Sequence, residues 1–350
     1  MPTKKINYVG QKVYIGIDVH KKTYTFSAVC GGEIVKTATV PADPTGFVTS
    51  MRKWFAGAEM STVYEAGFSG FGLHRILVSA GVDNIVINPA SLEVAAKDKV
   101  KTDKRDSKKL ALQLSSGRLS GINIPTEKEE QARLITRTRE QIVEDKTRVA
   151  ARIKSRMHYF GLVNKDDSRV VSEIFIKELE EMSLAEELKI SFGLLIAHWR
   201  FLNQQLEEVK TEMMGQAFED AENEAIYRSV PGVGIVSART LSNELGDLSK
   251  RFKNQNALFQ FVGLAPTEFS SGESVRKGSI SRQGSARVRK ILVEVSWRAI
   301  GADGALREAF DRIARTRGSK RAIVAIARKL IGRIRACFVN RCEYAVGIAE

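Results

Sequence analysis

Apolar and polar positions divide the chain into three stretches of different period. From Lys12 to about Gly121, strand-length apolar runs alternate with amphipathic segments. Lys12–Val19, Thr23–Val29 and Glu33–Val40 are rich in β-branched and aromatic residues, and Gly31-Gly32 supplies the tight turn between the second and third. Pro44–Phe55 and Gly70–Ala80 have helical spacing, whereas Ser61–Glu65 and Asn84–Asn88 read as short strands entering the same sheet. Pro125 breaks this pattern. Leu134, Ile142, Val149, Ile153, Met157 and Phe160 then trace a long helical stripe that stops at Gly161. After a loop near Asn164–Ser168 and a short helix comes a second long one. There Leu188, Phe192, Leu195, Trp199, Leu202, Leu206, Val209 and Met213 step alternately by four and three residues, a heptad seam. An antiparallel helix of the same chain or a second chain would fill that seam equally well, and it carries no obvious chemistry. The third stretch opens at Ser229-Val230-Pro231-Gly232-Val233-Gly234. The expected organisation is therefore an α/β domain over 1–124, a long-helix coiled-coil or assembly region over 125–222, and a helical domain over 223–350.

Chemistry enters through four acids. Asp18 interrupts the apolar run Val13-Tyr14-Ile15-Gly16-Ile17-Asp18-Val19, and Glu65 closes Ser61-Thr62-Val63-Tyr64-Glu65. Asp103 and Asp106, in Lys101-Thr102-Asp103-Lys104-Arg105-Asp106-Ser107, open a stretch of helix formers, where an i, i+3 pair shares one face. Two strand-borne acids and two helix-borne acids would meet at one point. Bare, such a cluster repels itself, so it implies a divalent cation, Mg²⁺ or Mn²⁺, of the kind that clamps the attacking and leaving oxygens of a phosphodiester. Three strands in a meander followed by alternating helices and strands is also the ribonuclease-H-like order. His20 would share the strand face of Asp18, but a satisfied or exposed histidine is the preferred reading over a ligand.

The charge balance supports an acidic partner. The 350 residues include 55 Lys and Arg against 41 Asp and Glu, a formal net charge of +14, which points to nucleic acid. No apolar run is long enough for a membrane span, and the first residues lack the apolar core of a secretory signal. Cys30, Cys337 and Cys342 form neither a CxxC nor an even set, so zinc and disulfide frameworks are not expected and the chain reads as intracellular.

The third stretch carries further signals. Val230-Pro231-Gly232-Val233-Gly234 has the form of a helix-hairpin-helix turn, whose backbone N–H groups, at Gly232 and Gly234, and following helix N-terminus can grip a phosphate. Downstream, Phe261-Val262-Gly263-Leu264-Ala265-Pro266 and Ser270-Ser271-Gly272 lead into Arg276-Lys277-Gly278-Ser279-Ile280-Ser281-Arg282-Gln283-Gly284, a Gly/Ser loop studded with cations. A helix with Arg287, Arg289 and Lys290 follows, and ten Lys and Arg lie between Arg307 and Arg335. Arg276, Lys277, Arg282, Arg287 and Arg289 are the nucleic-acid contacts expected here.

Taken in order, Gly16-Ile17-Asp18-Val19-His20-Lys21, Tyr64-Glu65-Ala66-Gly67, Thr102-Asp103-Lys104-Arg105-Asp106 and the C-terminal motifs resemble the DEDD-type insertion-sequence transposases of the IS110 group over nearly the whole length. The loop Ser281-Arg282-Gln283-Gly284 departs from the Lys-Arg or Lys-Lys-Gly pattern frequent in that group. The resemblance implies a RuvC-like first domain that binds metal through Asp18, Glu65, Asp103 and Asp106. It implies a serine nucleophile in the last domain, best matched by Ser271 with Ser270 second, and a covalent phosphoserine intermediate. It further implies donor and target DNA, a bridge RNA that selects both, a homo-oligomer (dimer or tetramer), and a bacterial cytoplasmic, nucleoid-associated location. The competing expectations are a metal-dependent nuclease that uses water, and a non-catalytic nucleic-acid scaffold.

Overall fold

Alternation of apolar residues over the first stretch produces a two-faced sheet. Five strands, β1 (Lys12–Val19), β2 (Thr23–Cys30), β3 (Glu33–Pro41), β4 (Glu59–Glu65) and β5 (Asp83–Ile87), lie in the order β3-β2-β1-β4-β5. The first three form an antiparallel meander, and β4 and β5 join it in parallel. These strands and the helices α1 (Pro44–Trp54) and α2 (Gly72–Ser79) coincide with the sequence expectations to within two residues at every end. The structure is a computed structural model and describes residues 7–92, 102–164, 166–268 and 277–347. It comprises two compact units, Met1–Ile124 and Pro125–Glu350.

In the first unit Val13, Ile15, Ile17, Phe26 and Tyr64 point to one face of the sheet and are buried with Phe47, Met51, Leu73 and Leu77 of α1 and α2. The opposite face presents Gly16, Asp18, Thr25 and Ser27 to α3 (Asp103–Ser115). A smaller core of Val63, Ile87 and Leu110 seals that side. A mixed α/β sandwich results, with helices on both faces.

The second unit begins with α4 (Glu127–Tyr159), whose Thr126 and Glu129 form a capping box, followed by α5 (Glu173–Glu180) and α6 (Glu186–Glu219). Lys128–Glu219 (3.0 Å), Lys146 over the Trp199 ring (4.8 Å) and Arg156 with Ser191 run in opposite directions along the two long helices, which are therefore antiparallel. The heptad seam is filled from inside the chain: Phe192, Ile196, Trp199 and Leu202 are buried with Ile142, Val149, Ile153 and Met157 of α4 and with Phe175 and Ile176 of α5. The α4 stripe begins later than its sequence suggests. Leu134 is exposed, and Thr136, two positions on, is buried instead, because this end of α4 packs through polar groups on α8.

The remaining elements are α7 (Ala221–Arg228), α8 (Ile235–Leu245), α9 (Leu248–Arg251), α10 (Gln255–Val262), the two-stranded ribbon β6 (Pro266–Glu268) and β7 (Lys277–Ile280), α11 (Ala286–Ala302), α12 (Gly304–Arg317) and α13 (Ser319–Asn340). Their core is built around α13, which buries Ile323, Ile326, Leu330, Ile331, Ile334 and Phe338. Polar links tie α4 to this bundle, among them two from its arginines. Arg137 donates two hydrogen bonds to Glu244 at 2.8 and 3.0 Å, and Arg133 donates to the carbonyl of Asn243 at 2.8 Å.

Candidate active site

Asp18 and Glu65 stand at the carboxyl ends of two neighbouring parallel strands, β1 and β4, where Ile17 pairs with Tyr64 one step earlier. That edge is the usual place for ligands in open α/β sheets. Asp103 and Asp106 occupy the first turn of α3, capped by the Thr102 side chain, where the helix dipole favours negative charge. What brings α3 down onto the sheet is small residues. A Cβ on Gly16 would run into the Ser107 carbonyl, the Ala111 nitrogen and the Leu110 side chain, so only glycine admits the helix at this distance. Ser27 and Ser107 exchange a buried hydroxyl hydrogen bond of 2.9 Å across the same contact.

The acids converge. Asp18, Glu65 and Asp106 line one cavity of about 150 Å³ together with Val19, Ala66, Gly67 and Ser69. Asp103 reaches the same place from the rim, where oxygens of Asp18 and Asp103 and a ring nitrogen of His20 lie within 4.8 Å of one another. The His20 Nε2 is 3.4 Å from Asp18 Oδ2 and 3.2 Å from Asp103 Oδ2. Burial pushes the Asp18 carboxyl above its ordinary range, His20 opposes this, and the charges of Asp103 and Asp106 push it up further. Carboxylates gathered this closely around Asp18 are a donor set that suits a hard divalent cation. The cavity also has room for a hydrated one, since a water occupies about 30 Å³. His20 is the residue underweighted by sequence reasoning. Its i, i+2 relation to Asp18 placed it on the right strand face, but only the docking of α3 puts Asp103 on its other side.

The nucleic-acid candidates separate into three groups. Arg276 and the Lys277 side chain lie outside the described residues, as do the expected nucleophile Ser271 and its alternative Ser270. Arg287 pairs with Glu140 and, at 3.4 Å, with Glu244, and Arg289 donates to the Val262 carbonyl at 2.9 Å, so both guanidiniums serve the fold. Arg282 is exposed and adopts a left-handed backbone with φ +56°. Gly232 has φ +85° and sits against Arg298 of α11, which explains its identity by packing, whereas a Cβ on Gly234, the α8 N-cap, would meet nothing within 4 Å. Several cations of the basic block are likewise used internally: Arg307 with Asp311, Arg333 with Asp303, Arg328 over the Phe259 ring and Arg335 on the Phe252 carbonyl. The corner between α12 and α13 is different. Arg315, Arg317, Lys320 and Arg321 are all exposed there and form no ion pair among the described residues.

An α/β unit with clustered acids at its strand ends, continued by a helical unit with exposed arginines, defines the class of enzymes that work on polynucleotides. Comparison with known proteins narrows it. A DEDD-type IS110 transposase model matches residues 15–160, and the model described as transposase IS116/IS110/IS902 family matches residues 224–311. The chain is 30% identical to the putative transposase y4qE of Sinorhizobium fredii, over 82% of this chain and 72% of that protein. It is 27% identical to the transposase of insertion sequence IS1533 of Leptospira borgpetersenii, over 94% and 96% of the two chains. With the transposase of IS1111A of Coxiella burnetii it shares 22% identity over 95% and 91%. The chain belongs to the IS110 family of transposases and is a DNA transposition enzyme. Membership of a DEDD family implies a divalent metal. Among the described residues no helix is long and apolar enough to cross a membrane.

Proposed function

We propose that this transposase cuts and rejoins DNA with two sets of groups, a metal-holding carboxylate cluster in the first unit and a serine nucleophile in the second. The convergence of Asp18, Glu65 and Asp106 on one cavity, with Asp103 at its rim, carries the reading. Strand order β3-β2-β1-β4-β5, antiparallel then parallel, supports a ribonuclease-H-like, RuvC-like identity for the unit. Asp18, Glu65, Asp103 and Asp106 would hold Mg²⁺ or Mn²⁺. Bound there, the cation would neutralise charge on the phosphoryl oxygens and favour the alkoxide form of the nucleophile.

Ser271, with Ser270 as the alternative, belongs to the segment that joins β6 to β7 in sequence. Its hydroxyl oxygen would bond to phosphorus as the phosphodiester P–O bond breaks and the departing strand end leaves as a sugar hydroxyl. The phosphoserine keeps the bond energy needed for rejoining, which recombination needs and hydrolysis does not. DNA would lie on exposed cations, Arg282 and the α12–α13 corner, with the α8 N-terminus at Gly234 as a helix-hairpin-helix-type phosphate contact. A bridge RNA pairing with donor and target DNA would relieve the protein of base reading. A homo-oligomer would use apolar residues left outside the α4–α6 seam, Ile190, Leu194 and Phe201, which are exposed on α6.

Labelled DNA incubated with the protein, followed by denaturation, proteolysis and mass spectrometry, tests the core of this reading. An adduct on the peptide containing Ser270 and Ser271 is expected, and single Ser270→Ala and Ser271→Ala variants choose between them. Efficient cleavage by the double variant would leave a hydrolase that needs only the four acids and water. Sequencing of co-purifying RNA tests the guide, for which a discrete non-coding species from the element's flank is expected.

A further inference from the structure

The geometry points to His20 as an additional ligand of the cation, one that tilts the site from Mg²⁺ toward Mn²⁺. This rests on the reading of the four acids as a metal site. His20 lies at the turn between β1 and β2, where its backbone nitrogen donates to the Thr23 carbonyl at 2.9 Å and fixes the position of the residue. Two residues after Asp18, its ring projects on the same strand face. The far ring nitrogen, Nε2, sits between Asp18 Oδ2 at 3.4 Å and Asp103 Oδ2 at 3.2 Å. The side chain is 47% exposed, so core packing does not dictate this orientation and both of its polar neighbours are expected ligands.

The preference follows from donor chemistry, with the ring nitrogen already beside two carboxylate oxygens at 3.2 and 3.4 Å. A neutral imidazole is a borderline nitrogen donor that first-row transition ions accept readily, whereas Mg²⁺ selects oxygen. Asp18, Asp103 and His20 would each offer one donor atom to the cation, and Glu65 and Asp106 line the cavity that Asp18 shares.

Electron spin-echo spectroscopy on the full chain with one equivalent of Mn²⁺ reads this directly, because a nitrogen bound to Mn²⁺ modulates the echo. We expect nitrogen modulation in the unmutated protein, a change of its pattern on ¹⁵N-histidine labelling, and its loss in His20→Gln and His20→Ala. Calorimetric titrations should show the ratio of Mn²⁺ to Mg²⁺ affinity falling about tenfold in both variants, a loss in the range typical of perturbed metal shells. Mn²⁺ that binds in an Asp18-dependent manner without a coordinated nitrogen, or with an unchanged ratio in the variants, overturns the role of His20 and leaves the carboxylate site standing. Absence of any Mn²⁺ binding that Asp18→Ala removes overturns the carboxylate site and His20 together. Absence of a coordinated histidine nitrogen in the labelled unmutated protein overturns the role of His20 even where a variant fails to fold.

Discussion

Gly16 controls the site without carrying chemistry. Because α3 rests on the bare Cα of this residue, Gly16→Ala should push Asp103 and Asp106 away from Asp18. The expected result is loss of strand cleavage together with about 1–3 kcal/mol of destabilisation, the usual cost of overpacking, measured by denaturant unfolding. Cleavage at the wild-type rate would show that the helix can shift without disturbing the acids. The acids themselves should behave in the opposite way. Asp18 is held near like charges and partly desolvated, so Asp18→Asn should abolish cleavage while raising the melting temperature in chelator, where no cation offsets the repulsion. A fall in melting temperature would mean that the carboxylate stabilises the metal-free fold.

At the scale of elements, the helix pair α4–α6 holds the second unit together. Trp199 is buried in its seam, so Trp199→Ala should cost about 3–5 kcal/mol of stability, as large-to-small core changes do. Residues on the outer face of α6 should behave differently: Leu194→Glu with Phe201→Glu should lower the sedimenting mass while leaving thermal unfolding nearly unchanged. If that double variant keeps its mass, assembly uses another surface. The glycines of the C-terminal motif also belong to this scale. A Cβ on Gly263 or Gly284 would strike the facing backbone, of Gln283 and Phe261 respectively, so the two motif segments interlock as the Ser281 and Ser285 nitrogens donate to the Ala265 and Phe261 carbonyls at 2.8 and 2.9 Å. Motifs that read as DNA contacts in sequence thus also hold the β6–β7 ribbon on α10.

Over the second unit as a whole, Glu244 links α4, α8 and α11. Burial pushes its carboxyl up, but the paired hydrogen bonds from Arg137 and the charges of Arg137, Arg287 and Arg133 outweigh burial and leave it below the ordinary glutamate value of 4.5. The unfolded chain therefore takes up this proton first as pH falls, so the stability from Glu244 is complete above about pH 4.5 and is lost as pH drops through the lower folded value. Glu244→Gln should flatten the acid limb of a stability–pH curve, and an unchanged limb would assign it to other carboxylates such as Asp303. Arg137→Ala should cost on the order of 2 kcal/mol, less than the 3–5 of a fully severed buried pair, because Arg287 still faces the carboxylate. The same map decides how to probe DNA binding. Neutralising Arg315, Arg317, Lys320 and Arg321 together should lower the slope of log affinity against log salt by up to about four, one for each phosphate left without its cation, with folding intact. Arg287→Ala should instead lower stability.

Local rules were sufficient for much of this molecule. Period-two runs bounded by Gly31-Gly32 and Pro44 specify the strands, because alternate burial on a sheet leaves few other readings of such runs. The i, i+3 spacing of Asp103 and Asp106 places them on one helical face by geometry alone. Motif order identified the family, since several weak signatures in a fixed succession are improbable together. Three features depended on long-range packing. The heptad seam is compatible with a partner inside or outside the chain, and only the antiparallel return of α4 filled it. Arginines near acids distant in sequence, Arg287 with Glu140 or Arg333 with Asp303, look like free cations until the helices that carry their partners dock. His20 lies two residues from one acid and 83 from the other it touches, a separation that only the seating of α3 on Gly16 closes. Periodicity reports which way a side chain faces, and tertiary packing decides what it meets there.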